Sequence, residues 1–191
     1  METRRRKTVT ERTEVIVEVW PVSADEVGLW LISGNDAWRS EAVRQDSDPH
    51  TTVTDLLEAN NASAGVKLLH STSWRAEETA VVLTYVAVIG CKAFVRDKWP
   101  NAAPISPALP DAVGKPIEVT ATEAPIPRYI DVLMHGLRHL QFLLQTDSAA
   151  RSALCGKWPD HLALFRPALA GMYDHEHGEE PITLPEGQAA R

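Results

Sequence analysis

His135 and His139 stand four residues apart in the run RYIDVLMHGLRHLQFLLQ, a spacing that lets two imidazoles on one helix face share a metal ion. Between them lie Gly136, Leu137 and Arg138, without the glutamate that a zinc protease sets beside its first histidine. Asp174, His175 and His177 would add ligands if the last helix folded back alongside. A second group is Asp55 and Glu58, one helical turn apart and so on one face, able to hold Mg²⁺ loosely. A third is His70 with Trp74, which share strand parity and are expected on one face, with Arg75 on the other. Together with Trp30 and Tyr85, and Trp38 nearby, they would line an aromatic pocket suited to a planar ligand. Each group also has a plainer reading, as helix-packing histidines, a solvated helix face and buried tryptophans. There is no Gly-x-Ser-x-Gly elbow, no phosphate loop and no Gly-x-Gly-x-x-Gly.

The elements that must position these groups begin with the most apolar stretch of the chain. Val81 to Ile89 is β-branched, aromatic and almost unbroken in apolarity, which predicts an interior strand buried on both faces. Val66 to Arg75 reads as its hairpin partner, turning through Ala76 to Thr79. A strand buried on both faces needs a layer on each side, hence a sheet covered by helices.

Upstream, EVIVEVW (Glu14 to Trp20) alternates apolar and charged residues and predicts a half-exposed strand stopped by Pro21. Val27 to Ile32 predicts an adjacent antiparallel strand, and the polar residues 35–50 a loop with at most a helical turn. Val53, Leu56 and Leu57 fall at helical spacing, with Asp48 or Thr51 as N-cap and Asn60-Asn61 as a left-handed stop. Seven of the 13 prolines lie between Pro100 and Pro127, predicting an extended surface connector over residues 100–127, with Pro116 to Val119 as a short edge strand. Beyond it, Ile130, Leu133, Met134, Leu137, Leu140 and Leu144 form one stripe of a long helix over 128–145. A short helix follows to Leu154, capped by Thr146-Asp147. A third begins at Pro159 and runs toward residue 175, bent at Pro167, before a mobile tail over 176–191.

The chain has 191 residues, 44% apolar and 24% charged, enough for one substantial core without staples. Residues 1–12 carry five basic against two acidic side chains, a surplus of three that leaves −10 of the net −7 on residues 13–191. The arm is expected to be a disordered tail, while the acidic body repels phosphate backbones and argues against nucleic acid as a partner. No apolar run approaches a membrane span, and no apolar segment follows the basic start as in a secretory signal. Cys91 and Cys155 have no metal or disulfide spacing and are expected to be reduced, buried thiols of a cytoplasmic protein.

The order strand, strand, loop with Gly34, short helix, strand pair resembles the Nudix fold over about residues 14–90. In that family the helix carries Arg-Glu-apolar-x-Glu-Glu-x-Gly, and its carboxylates hold divalent cations, usually Mg²⁺, that clamp a diphosphate and activate water. The matching stretch here is Thr54-Asp55-Leu56-Leu57-Glu58-Ala59-Asn60-Asn61. Asp55 and Glu58 occupy metal-holding positions, while Thr54 replaces the arginine, Ala59 the second glutamate and Asn61 the glycine. The resemblance implies an α/β sandwich: a mixed β-sheet between helices over residues 13–99, with a C-terminal helical region over 128–175 packed on it. The diluted motif implies a non-catalytic or weakly active binding or sensor protein for a small ligand, a nucleotide-like one included, or for a protein partner. Two rival expectations are a Mg²⁺-dependent phosphoanhydride hydrolase using Asp55 and Glu58, and a structural homodimer joined through the helix over 128–145.

Overall fold

The computed structural model describes residues 14–44, 48–77, 80–91, 94–106 and 129–168. Its longest strands are β1 (Glu14–Ala24), β5 (Val66–Glu77) and β6 (Ala80–Ile89). Short strands β2 (Leu29–Leu31), β3 (Trp38–Arg39), β4 (Val43–Arg44) and β7 (Ala103–Ile105) complete a mixed seven-stranded sheet. The order is β5-β6-β1-β2-β7, with β3 and β4 also pairing with β1. Only β1 and β6 run parallel; every other pairing is antiparallel. The fold class is therefore α/β, with a C-terminal helical region.

Pro21 does not end β1, which continues through it to Ala24. Its carbonyl accepts from the Ile32 N–H at 2.9 Å, so its nitrogen faces the same flank. There the ladder is already interrupted between β3, which pairs at Glu18 and Val19, and β2, which pairs from Val22 onward. A missing donor costs nothing at such a gap. The strand is also less exposed than its alternation predicts, because Glu18 is fully buried. Residues 35–50, expected as a loop, contribute β3 and β4. The start of the expected connector is likewise a strand: β7 takes the sheet edge, where Pro104 opposite Trp30 is tolerated. The expected edge strand at Pro116 to Val119 lies outside the described residues, as do the basic arm and the tail.

Helix α1 (Pro49–Ala59) starts where the sequence predicts. The Asp48 side chain accepts from the His50 N–H at 3.0 Å, Pro49 sits in the first turn, and Asn61 takes φ 56° beyond the end. Val53 and Leu57 pack with Val17, Val19, Trp30, Ile32, Ala87 and Ile89 on one sheet face. The strand β6 is interior, and Val86 to Ile89 are buried on both faces as expected. Val81 and Leu83, near the hairpin turn, are only half-buried.

Helices α3 (Tyr129–Thr146), α4 (Ser148–Ala153) and α5 (Trp158–Leu162) cover the opposite face. Leu133, Leu137 and Leu140 join Trp20, Val22, Val86 and Val88 in a core closed by Leu154, Trp158 and Leu162. Leu133, Met134, Leu137 and Leu140 of the stripe are thus buried within the chain, and Leu144 is half-buried. Asp147 caps α4 by accepting from the Ala150 N–H at 2.7 Å. The third helix is shorter than predicted: α5 ends at Leu162, and residues beyond 168 lie outside the described part.

Gly136 is where α3 meets the sheet. A Cβ there would stand 2.5 Å from Val86 Cγ2, on a β-branched side chain with little freedom to move. In an isolated helix, glycine to alanine stabilises by about 1 kcal/mol. Here Gly136→Ala is expected to destabilise by about 1–3 kcal/mol through overpacking. Urea midpoints read the sign, and a midpoint raised by the substitution would mean that helix and sheet do not touch at Gly136.

Candidate functional site

The strand pairing of β5 carries register shifts between Val66 and Leu68 and between Ser71 and Ser73. The second shift inserts a residue and reverses the parity of all that follows. His70 faces Val86 while Trp74 faces Leu83, so the two lie on opposite sheet faces. The expected shared face of His70 and Trp74 is corrected accordingly: Arg75, opposite Val82, shares the face of His70 instead. Trp74 is 70% exposed. Trp30 is buried, donates its indole N–H to Asp25 Oδ1 at 2.9 Å and carries Arg96 over its ring. Tyr85 is half-buried on the α1 face, where burial and then the nearby Asp48 raise its hydroxyl pKa. His70, Trp74, Trp30 and Tyr85 therefore do not converge on one pocket.

His70 instead meets the two histidines singled out for metal. Its Nε2 lies 3.3 Å from His139 Nδ1, with the rings edge-on and 4.6 Å apart. The His135 ring is 6.1 Å from that of His139. Burial lowers the pKa of all three; the Arg138 charge adds to the effect on His135. His139 is lowered to about 4 by burial, then by His70 and His135. Among the described residues no group of three or more His, Cys, Asp or Glu is placed to hold a metal ion. His139 and, beside it, His135 thus join His70 in an imidazole contact, and Asp174, His175 and His177 lie outside the described residues. Asp55 and Glu58 are exposed on α1.

On the same face as His70, nearer the hairpin turn, an ionic cluster occupies the sheet. Glu18 accepts from Arg75 at 2.7 and 3.1 Å and from the Trp20 indole at 2.9 Å. Glu77 bonds both Arg39 and Arg75 at 2.7 Å. Burial works against the Arg75 charge, but bonds and attraction to Glu18 and Glu77 outweigh it and raise its pKa further. For Glu77 burial raises the pKa, and its bonds to Arg39 and Arg75 bring it below the ordinary carboxylate range.

A cleft suited to a ligand lies elsewhere, at the carboxyl ends of the parallel pair β1 and β6. A cleft of about 680 Å³ opens there between Asp25, Gly90 and Cys91 on the sheet side and residues 152–158 of the C-terminal helices. Phe94, 54% exposed, forms part of its wall. A neighbouring cavity of about 550 Å³ shares Gly90, Cys91 and Phe94. Lys67 crosses the strand end close to Gly90, where a Cβ would stand 2.7 Å from Lys67 Cε. Across the cleft Lys157 pairs with Glu26 at 2.8 Å, and Lys67 and Lys157 both line it. So do both cysteines, and neither is buried as expected: Cys91 is half-buried and Cys155 exposed, both as free thiols.

Asp25 braces this end of the sheet. Its carboxylate accepts from the N–H groups of Val27, Gly28 and Val95 and from the Trp30 indole, at 2.9–3.2 Å. Val95 opens the short helix α2 (Val95–Lys98). Burial raises the Asp25 pKa, but the four donors outweigh it and leave it below the ordinary value of 3.8. The Asp25 carbonyl lies 2.8 Å from His161 Nε2, tying the strand end to α5. In the sequence the only signal of this role is an acidic residue at a strand end.

The fold and the cleft together define an α/β sandwich with an open crevice at its parallel strand ends. No protein-family model matches this chain, and no curated protein matches it.

Proposed function

We propose that the protein is a non-catalytic or weakly active, Nudix-like binding protein that takes a small molecule in the cleft at the ends of β1 and β6. The position of that cleft carries the reading. In open α/β sheets, ligands settle in the crevice beyond the carboxyl ends of parallel strands. At about 680 Å³ the cleft falls within the range of small-molecule sites. Phe94 and Ala153 would take the apolar body of the ligand, and Lys67 a polar or anionic group. The hydrolase alternative has less support: its Asp55 and Glu58 are exposed and no third acidic or histidine ligand among the described residues joins them.

A fragment screen read by amide chemical shifts tests the proposal. Bound fragments are expected to move the signals of Gly90, Cys91, Phe94 and Gly156, and to shield the exposed Cys155 from a thiol reagent. Ala153→Trp, which fills the cleft from its rim, should weaken them about tenfold or more, a loss of about 1.4 kcal/mol. Fragments that cluster around Trp74 or the histidines, or affinities unchanged by Ala153→Trp, would refute it.

A further inference from the structure

We infer that His70 and His139 form an acid-released latch holding the C-terminal helices on the edge of the sheet. α3 packs on β6 and β5, and β5, which ends the strand order, fastens its outer flank. His70 is the half-buried side chain of β5 whose ring nitrogen reaches α3, at 3.3 Å from buried His139. In the neutral pair one imidazole N–H donates to the lone pair of the other. A first proton can be shared along that contact. A second leaves two donors and two positive charges face to face in a buried site, which drives the rings apart.

The surroundings offer the second proton little compensation. From α3 the neighbouring groups are His135, then Arg138, whose charge already disfavours a protonated His135. Asp131 is one turn before His135, and Arg138 Nε also donates to the Arg166 carbonyl at 3.1 Å. On this face β6 presents Thr84, Val86 and Val88, all uncharged. On β5 the cations are Lys67, which lines the cleft, and Arg75, which is committed to Glu18 and Glu77. The lowered pKa of His139, about 4, fits a site that rejects the proton.

The linkage sign follows from the direction of the shift. Imidazole titrates at 6.5 when α3 is released and at about 4 when it is docked. The docked state is therefore fully favoured above pH 6.5 and loses ground as pH falls toward 4. Between pH 7 and pH 5 the docking equilibrium should weaken on the order of twenty-fold from His139 alone. Because α4 and α5 follow α3 directly and wall the cleft, release would also loosen ligand; that consequence rests on the proposed function, whereas the latch does not.

Hydrogen exchange on the full chain at pH 7 and pH 5, corrected for intrinsic rates, tests the latch without any ligand. Protection of the amides from Leu137 to Gln141 should fall on the order of twenty-fold relative to those of Val86 to Val88. In His139→Asn the fall should shrink to less than about threefold, and in His70→Gln it should shrink in part, because burial still disfavours a charged His139. Wild-type protection that stays level with β6, an acid loss that persists in His139→Asn, or one undiminished in His70→Gln, overturns the latch. The wild-type profile decides even if one variant does not fold.

Discussion

Replacing Asp25 by alanine is expected to destabilise the protein by about 3–5 kcal/mol, because it strands two buried donors, the Trp30 indole and the Val95 N–H, and two part-buried ones at once. The side chain is 8% exposed and accepts four hydrogen bonds, from Val27, Gly28, the Trp30 indole and Val95. These donors belong to the β1–β2 turn, β2 and α2, so the loss is not confined to one loop. Unsatisfied buried donors cost about 1–3 kcal/mol each, and bonds to a charged acceptor lie at the stronger end. Asp25→Asn keeps the shape but turns one acceptor into a donor, and should cost nearly as much. The pH dependence carries a definite sign. The folded pKa lies below the ordinary 3.8, so the contribution is complete above pH 3.8 and disappears as pH falls through the folded value. Urea titrations of wild type and Asp25→Ala should therefore differ most near neutrality and converge in strong acid. A difference under about 1 kcal/mol at pH 7 would show that these bonds do not brace the strand end.

The parts of this fold written in local pattern were legible in the sequence. The Asp48 cap, the left-handed Asn61 and the stripe through Leu133, Leu137 and Leu140 each act within a few residues, and each element stands where its pattern puts it. The interior placement of β6 follows in the same way from its apolarity. The features missed depend on distant partners or on a single inserted residue. A period-two reading of β5 cannot see the shift at Ser71 to Ser73, yet that shift separates His70 from Trp74 and dismantles the expected aromatic pocket. The partners of Asp25 include Val95 and His161, 70 and 136 residues away. His70, His135 and His139 were each legible as candidates, but for different chemistries; only the docking of α3 on β5 brings them together. The cleft was invisible for the same reason, since its lining comes from strand ends and from residues 152–158.

Glu18 gives the second large expectation, and it concerns how charge can be buried in this sheet. Its alternation with Val17 and Val19 placed it on a wet face, yet it is 0% exposed, with Arg75 supplying two of its bonds. Glu18→Ala leaves the largely buried Arg75 guanidinium without its principal carboxylate and the Trp20 indole without an acceptor. Breaking one partner of a buried pair costs about 3–5 kcal/mol, and the same is expected here. Removing both ends is different. Glu18→Leu with Arg75→Met replaces the pair by apolar groups of similar length, and such exchanges are often neutral or stabilising. The double variant should therefore recover most of what Glu18→Ala loses, although Glu77 retains Arg39 at 2.7 Å and keeps part of the cluster. A double-mutant cycle on urea stabilities measures the coupling, expected at about 1–3 kcal/mol for side chains in direct contact. Surface pairs are screened by salt, whereas a buried pair is not, so the coupling should change little when ionic strength is raised. A coupling near zero, or one that vanishes at high salt, would place Glu18 and Arg75 in water and remove the ionic cluster from the interior of the fold.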